Sequence, residues 1–325
     1  MESGYWHSCF TLKNSKYPRF VGAPLDGITD SPFRQLVRQW SPHALLYTEM
    51  RHVGSLVHGR GLSAAQAFKF EQSERPLLFQ ISANGTEFIE QAVEKIIQVG
   101  VDGIDLNIGC PARAVVSSGS GSALMAEPEK LKAIVSVLRK SIPGVFTVKM
   151  RAGFKEQNGV YIAQMLEDLG VDGLAVHPRL QTQMFAGRPD YAYAAQIKSA
   201  VNIPVLLSGN IVNWVTARMA YEQTGVDGFL IGRGMWAQPW KLFELTELSQ
   251  EGTFSLDRST VLKTAQEHYR LVRNYYGTQG VFCFRKHLPF YIRGVVGASA
   301  WRQKLVQAQD PEVVEQLLIQ AFEAA

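Results

Sequence analysis

Three times in this 325-residue chain an amphipathic stretch closes on Gly-Val-Asp-Gly and runs straight into a short apolar segment. The three are Gly100-Val101-Asp102-Gly103-Ile104, Gly170-Val171-Asp172-Gly173-Leu174 and Gly225-Val226-Asp227-Gly228-Phe229. A turn glycine that ends a helix just before a buried strand is the connection that βα repeats require. Eight apolar runs of strand length carry the pattern from residue 20 onwards. They are Phe20–Ala23, Ala44–Thr48, Leu77–Ile81, Gly103–Leu106, Phe146–Met150, Gly173–His177, Val205–Ser208 and Gly228–Ile231. Between them lie segments with a helical period: Phe88, Ile89, Ala92, Val93, Ile96 and Ile97 share one face, and Pro128 marks another helix start. Eight such strands in roughly 220 residues predict a (β/α)8 TIM barrel, an α/β fold. An open doubly wound sheet is the alternative, disfavoured because no strand runs into a GxGxxG turn.

After Trp240 the strand signal stops. Helical stretches are expected at Asp257–Tyr276, Val281–Gly294 and Glu312–Ala325. The chain therefore divides into a barrel, residues 1–245, and a small all-helical part, residues 246–325, with a plausible link at Gln250-Glu251-Gly252-Thr253. Hydrophobic residues at 46% and charged residues at 19% exclude a disordered chain. No run approaches the roughly 18 apolar residues that span a bilayer, and the N-terminus lacks a secretory apolar block, so a cytoplasmic protein with no membrane contact is expected. Cys9, Cys110 and Cys283 have no CxxC spacing, which argues against a disulfide framework or a metal cluster. The net charge of +4 is unevenly spread: Lys263, Arg270, Arg273, Arg285, Lys286, Arg293, Arg302 and Lys304 face a single acid, Glu267, over the same stretch. That asymmetry suits a polyanion such as nucleic acid, although a solvated basic surface reads the same way.

Barrel enzymes carry their chemistry where the strands stop. Here the stops are polar: Ala23-Pro24-Leu25-Asp26-Gly27-Ile28-Thr29-Asp30, Thr48-Glu49-Met50, Gln80, Asn107 followed by Cys110, Lys149 and Arg151, and His177 with Arg179. The last two turns bear glycine, Ser208-Gly209-Asn210 and Gly232-Arg233-Gly234. Glycine turns and a helix N-terminus after strands seven and eight form the common phosphate site of such barrels, and Arg233 adds charge to it. A flavin mononucleotide (FMN) accounts for the other endings. Lys149 suits the N1/O2 edge of the ring, Gln80 can hydrogen-bond it, and His177 can flank it. Cys110, between Gly109 and Pro111 on a loop, then suits a general acid, since an ordinary thiol is mostly protonated at neutral pH. The bland alternative for Cys110 is an inert buried thiol.

With those pieces in order, the chain resembles the tRNA-dihydrouridine synthases over nearly its whole length. The resemblance rests on Ala23–Asp30 with Phe33-Arg34, Thr48-Glu49-Met50, Asp105-Leu106-Asn107-Ile108-Gly109-Cys110-Pro111 and Gly121-Ser122-Ala123-Leu124. It continues through Val148-Lys149-Met150-Arg151, His177-Pro178-Arg179, Ser208-Gly209-Asn210-Ile211, Ile231-Gly232-Arg233-Gly234 and Arg285-Lys286-His287. What it implies is reduction of the C5=C6 bond of uridine in tRNA, with NADPH reducing FMN, hydride passing to C6 and Cys110 protonating C5. It also implies flavin contacts at Pro24, Leu25, Asp26, Gln80, Lys149, His177, Ser208, Gly209, Asn210, Gly232 and Arg233. Asn107 and Arg179 then fall near the uridine, and Arg113 adds a basic residue close to the thiol. The helical part, with Arg285 and Lys286, grips the tRNA, and the protein is expected to be a monomer. Departures from the family pattern are Leu25 for Met, Leu180 for Thr, and Ser117, Ser118 and Ser120 where a Lys is common. A free-pyrimidine flavin barrel is the nearest rival, but it needs no basic helical tail.

Overall fold

The computed structural model describes residues 2–59 and 66–324. Ala325, the expected end of the last helix, lies outside the described residues. Eight parallel strands form the barrel: β1 Phe20–Gly22, β2 Leu46–Tyr47, β3 Leu77–Ser82, β4 Gly103–Ile108, β5 Val145–Gly153, β6 Gly173–Leu180, β7 Val205–Leu207 and β8 Gly228–Ile231. Neighbours in sequence are neighbours in the sheet, β8 pairs with β1, and the Gly22 N–H donates to the Leu45 carbonyl at 3.0 Å to join β1 to β2. The expected TIM barrel is therefore the observed one. Boundaries move at the rim: β2 is shorter than expected, whereas β5 and β6 run on as a pair past Arg151 and His177. That extension puts Arg151 and Arg179 on strands rather than in loops.

The repeated Gly-Val-Asp-Gly lead-in has a separate physical reason at each position. The first glycines, Gly100, Gly170 and Gly225, have φ of +81°, +81° and +62°, the left-handed turn that ends a helix. Each aspartate accepts an N–H at the start of the preceding strand, Asp102 from Leu77, Asp172 from Phe146 and Asp227 from Val205, all at 2.8 Å. Each also pairs with a cation, Arg75, Arg139 or Lys198. The second glycine sits where a Cβ would meet neighbours at 2.5 Å (Val145 O), 2.7 Å (Leu12 Cδ1) or 2.8 Å (Arg19 O). The motif staples the floor of the barrel.

Strand alternation then sorts the residues. Phe79, Leu106, Phe146, Val148, Val176, Leu207 and Phe229 face the surrounding helices. Val21, Leu45, Tyr47, Leu78, Val145, Ala175, Leu206 and Leu230 fill the lumen, floored by Phe10, Leu12 and Tyr17 of the hairpin Phe10–Leu12/Ser15–Tyr17. Further along the strands the same inward parity reaches Gln80, Asn107, Lys149, His177, Ser208 and Gly232. The lumen is apolar at its floor and polar at its mouth.

The first barrel helix, α1 Ser31–Trp40, is capped by Asp30, whose carboxylate accepts the Phe33 N–H at 3.1 Å. Beyond β8 come α2 Lys241–Ser249, α3 Arg258–Tyr276, α4 Gly280–Phe284, α5 Leu288–Tyr291, α6 Ala298–Gln307 and α7 Pro311–Glu323. Helices α3 to α7 share an apolar cluster of Tyr269, Val272, Phe284, Leu288, Ile292, Leu305 and Leu318 that reaches back to Ala237 and Trp240, whereas Leu242 and Leu245 of α2 pack into the barrel core. The helix expected over Val281–Gly294 is broken into α4 and α5, because Pro289 lacks an N–H and clashes with a preceding helical turn. Phe33 of α1 inserts against His268 and His287, at ring-centroid separations of 5.5 and 5.9 Å, docking the helical segment on the barrel. Among the described residues no helix is long and apolar enough to cross a membrane.

Candidate active site

A cavity of about 810 Å³ opens at the mouth between β6, β7, β8 and the segment after β1. Of the residues expected around a cofactor, Pro24, Leu25, Lys149, His177, Ser208, Gly209, Asn210, Gly232 and Arg233 all line it. Gly209 has φ +108°, and a Cβ there would meet the His177 ring at 2.7 Å, so only glycine lets the β7 turn lie on that imidazole. Asn210 follows with φ +58°, and its side-chain oxygen accepts from Arg179 at 3.2 Å. Gly232 precedes a 3-10 turn, Arg233–Met235, whose leading N–H groups are the unpaired ones of any helical turn.

The electrostatics of the mouth are cationic. Among the described residues no carboxylate lies within salt-bridge distance of Lys149 or Arg233. Burial, followed by the Arg151 charge, holds the Lys149 ammonium below its ordinary range. Burial, reinforced by Lys149, Arg151, Arg179 and Arg233, drives the His177 imidazole down to about 2, so it is neutral. The Arg179 guanidinium can only donate, and it does so to His177 Nε2 at 2.9 Å, which leaves the proton on Nδ1. Besides His177 and Asn210, Arg179 donates to the Ala186 and Gly187 carbonyls, at 3.1 and 2.7 Å, so this buried fork holds the loop after β6 rather than facing open space.

That loop carries Phe185, which is 52% exposed. Its ring lies 5.0 Å from the Arg233 guanidinium and 5.7 Å from that of Arg151. Phe185, Arg188 and Tyr191 line the cavity, and the Tyr191 hydroxyl donates to the Gly209 carbonyl at 2.9 Å. Sequence reasoning missed these three; the available signal was an aromatic in a glycine-bearing loop directly after a polar strand end.

Cys110 stands on the neighbouring rim, partly exposed, on a loop fixed through its backbone. Asn107 Oδ1 accepts the N–H groups of Gly109 and Cys110 at 3.0 and 2.8 Å. The Cys110 carbonyl accepts from the Ser122 hydroxyl at 2.8 Å and the Ser122 N–H at 3.1 Å, and the buried Arg151 donates to the Gly109 carbonyl at 2.8 Å. Gly121 is required here, since a Cβ would sit 2.9 Å from the Cys110 carbonyl. Behind the loop the Gln80 amide donates to Asp105 at 2.8 Å and accepts from Asn107 at 3.1 Å, while Thr147 donates to Asp105 at 2.6 Å. Burial raises the Asp105 carboxyl to about 7. Gln80 and Asn107 thus brace the thiol loop from inside the lumen.

Other expected residues fall elsewhere. Asp26 is turned out of the cavity towards Arg51 at 3.4 Å, with its side chain 75% exposed. Arg113 is exposed at the start of the short helix Arg113–Ser117 beyond the thiol. Arg285 donates to the Ala308 carbonyl at 3.0 Å and stacks on Phe282, and Lys286 is directed at Asp30, 3.9 Å away.

The fold and mouth define a (β/α)8-barrel protein with an anion-favouring cavity at β7 and β8, a held thiol on the adjoining rim and a helical segment docked on its first helix. The family model described as Dihydrouridine synthase (Dus) matches residues 21–325. The chain belongs to the dihydrouridine synthase family. It is 34% identical over 313 residues to the "Probable tRNA-dihydrouridine synthase 1" of Synechocystis sp., covering 95% of this chain and 88% of that one. It is also 30% identical over 308 residues to tRNA-dihydrouridine synthase B of Pseudomonas aeruginosa, covering 93% and 91%.

Proposed function

We propose that this protein is a tRNA-dihydrouridine synthase that reduces the C5=C6 bond of uridine, with FMN held in the β7/β8 cavity and NADPH as reductant. The observation that carries the reading is the juxtaposition in one cavity of two cations, Lys149 and Arg233, that have no carboxylate partner among the described residues, beside a thiol on a braced loop. The donor set fits FMN: a cavity within the roughly 300–1,000 Å³ of ligand sites, glycine turns and Arg233 for the phosphate, and a buried ammonium for an electron-rich ring edge. Bound there, FMN would supply the hydride that adds to C6 of the base, with NADPH as its source.

The chain's own residues do the rest. Lys149 would place positive charge at the ring edge, and neutral His177, oriented by Arg179, offers its Nδ1–H as a donor without adding charge. Cys110 transfers its thiol proton to C5 as the C6–H bond forms, and the thiolate left behind regains a proton from solvent. Arg151 and Asn107 hold the backbone of the loop that carries that thiol. A base stacked in folded RNA cannot reach the mouth, so the uridine must be turned out of its stack. The barrel, residues 1–245, carries this chemistry, and residues 246–325 grip the RNA. There Lys263, Arg270, Arg273, Arg293, Arg302 and Lys304 are exposed and suit phosphates. The names of the relatives, which specify tRNA, support that substrate.

Replacing Cys110 with alanine tests the assignment. The variant is expected to stay yellow and to bleach with NADPH, yet to form no dihydrouridine in tRNA by mass spectrometry. A colourless wild-type protein that also fails to bind added FMN overturns the cofactor, and normal turnover by C110A overturns the proton donor.

A further inference from the structure

Asp30 ends the segment that supplies Pro24 and Leu25 to the cavity wall, and it does more than cap a helix. Its carboxylate is 2% exposed. One oxygen accepts the Phe33 N–H in the first turn of α1, at 3.1 Å. The other accepts the hydroxyl proton of Tyr276, the last residue of α3, at 3.0 Å, with the Lys286 ammonium between α4 and α5 at 3.9 Å. A helix cap is ordinarily solvated, and nothing in capping requires partners 246 and 256 residues away; burying a carboxylate costs free energy unless such partners offset it. The segment between Asp30 and the cavity is stiff. The Leu25 carbonyl accepts from the Ile28 and Thr29 N–H groups at 2.9 Å, and the Gly27 N–H donates to Glu49 at 2.6 Å. Next to Tyr276, the Tyr275 hydroxyl donates to the carbonyls of Gln66 and Lys69 on the barrel, at 3.0 and 3.2 Å. Cavity wall, α1 and the helical segment therefore meet at one carboxylate.

We propose that Asp30, through Tyr276 and Lys286, is a positioning residue that sets the orientation of the helical segment over the barrel mouth, and so how productively a bound tRNA presents its uridine. The proposal rests on the tRNA-dihydrouridine synthase reading. Asp30 touches neither the cavity nor the RNA; it acts through the helical segment that holds the RNA. A misplacement of about 1 Å is enough to slow a reaction greatly while leaving gross binding intact.

The test is Asp30→Asn in the full-length, FMN-loaded protein. Asparagine caps a helix as well as aspartate does, so the cap survives and the charge on the joint is lost. Flavin content and the rate of bleaching by NADPH should match wild type, whereas kcat for tRNA-driven reoxidation should fall roughly tenfold with KM for tRNA within about twofold. Tyr276→Phe, which leaves the cap untouched, should lower kcat in the same direction, and Lys286→Gln combined with D30N should be no slower than D30N alone. Wild-type turnover of tRNA by both D30N and Y276F reduces Asp30 to a cap and overturns the proposal. A rise in KM alone makes the joint a binding device and overturns it as well. A wild-type protein that bleaches with NADPH but never reoxidises with tRNA removes the functional reading, and the joint with it.

Discussion

At the scale of single residues, the mouth separates groups that face a ligand from groups that hold those groups. Lys149, Arg233 and Gly209 face the cavity; Gln80, Asn107, Arg151 and Arg179 make their hydrogen bonds to backbone and to neighbouring side chains. Gly209 is the clearest case of a residue whose absence of a side chain is its function. Gly209→Ala would place a methyl 2.7 Å from the His177 ring at a φ of +108° that alanine avoids. The imidazole or the turn must shift, so FMN affinity should drop at least about tenfold, read by fluorescence titration, while the fold persists. Unchanged affinity would mean that the β7 turn does not hold the ligand. Strand parity made Lys149, His177 and the glycine turns legible in the sequence, because a strand end fixes which way a side chain points. It could not reveal that Asp26 turns out to Arg51 or that Arg179 is consumed by Ala186 and Gly187, since those partners come from other loops.

At the scale of elements, legibility followed local chemistry. The eight strands were readable because each lies between a turn glycine or proline and a polar stop, and because three carry the same floor staple. The helix α6 was missed since it buries only Leu305, too little to print a period. The break at Pro289 is written in the sequence, but the apolar spacing around it imitates one helix. The most exposed dependency among elements is the tie between α1 and the turn Gln72–Glu74. Glu74 is fully buried; it accepts from Arg34 Nε at 2.7 Å, from the Glu71 N–H at 2.8 Å and from the Ser31 hydroxyl, while Arg34 also donates to the Thr29 carbonyl at 2.6 Å. Arg34→Met keeps the volume but strands a buried carboxylate, which should lower unfolding stability by about 3–5 kcal/mol in urea denaturation. Adding Glu74→Gln should restore part of that loss. A loss under about 1 kcal/mol in R34M would show the pair to be marginal to the docking of α1.

At the scale of the whole molecule, what the sequence hides is how distant parts meet: Asp30 with Tyr276, and Phe33 with His268 and His287. The two histidines are fully buried there, and neither ring nitrogen of His287 has a hydrogen-bond partner among the described residues. Burial, first of all, takes His268 to about 3 and His287 well below its ordinary value, and His177 stands at about 2. All three stay neutral in the folded state while the unfolded chain takes up protons below about 6.5, so their contribution is present above that pH and is lost as pH falls. Each loses about 1.4 kcal/mol per pH unit. Asp30 at about 6 and Asp105 at about 7 run the other way: they bind protons in the folded state before the unfolded chain does, and return stability as pH falls towards about 4. Between pH 6 and 4.5 three losses stand against two gains, so the wild-type protein should weaken by only about 1.4 kcal/mol per unit. His287→Phe retains a ring stacked on Phe33, removes the two unpaired nitrogens of His287 and removes one of the three losses. Its urea stability should be nearly flat over the same interval, and the difference between the two slopes isolates His287 from every other titrating group. Parallel slopes in the two proteins would mean that His287 takes up its proton in the folded state too. The docking surface of the helical segment would then admit charge, and a dry joint between barrel and helices would be excluded.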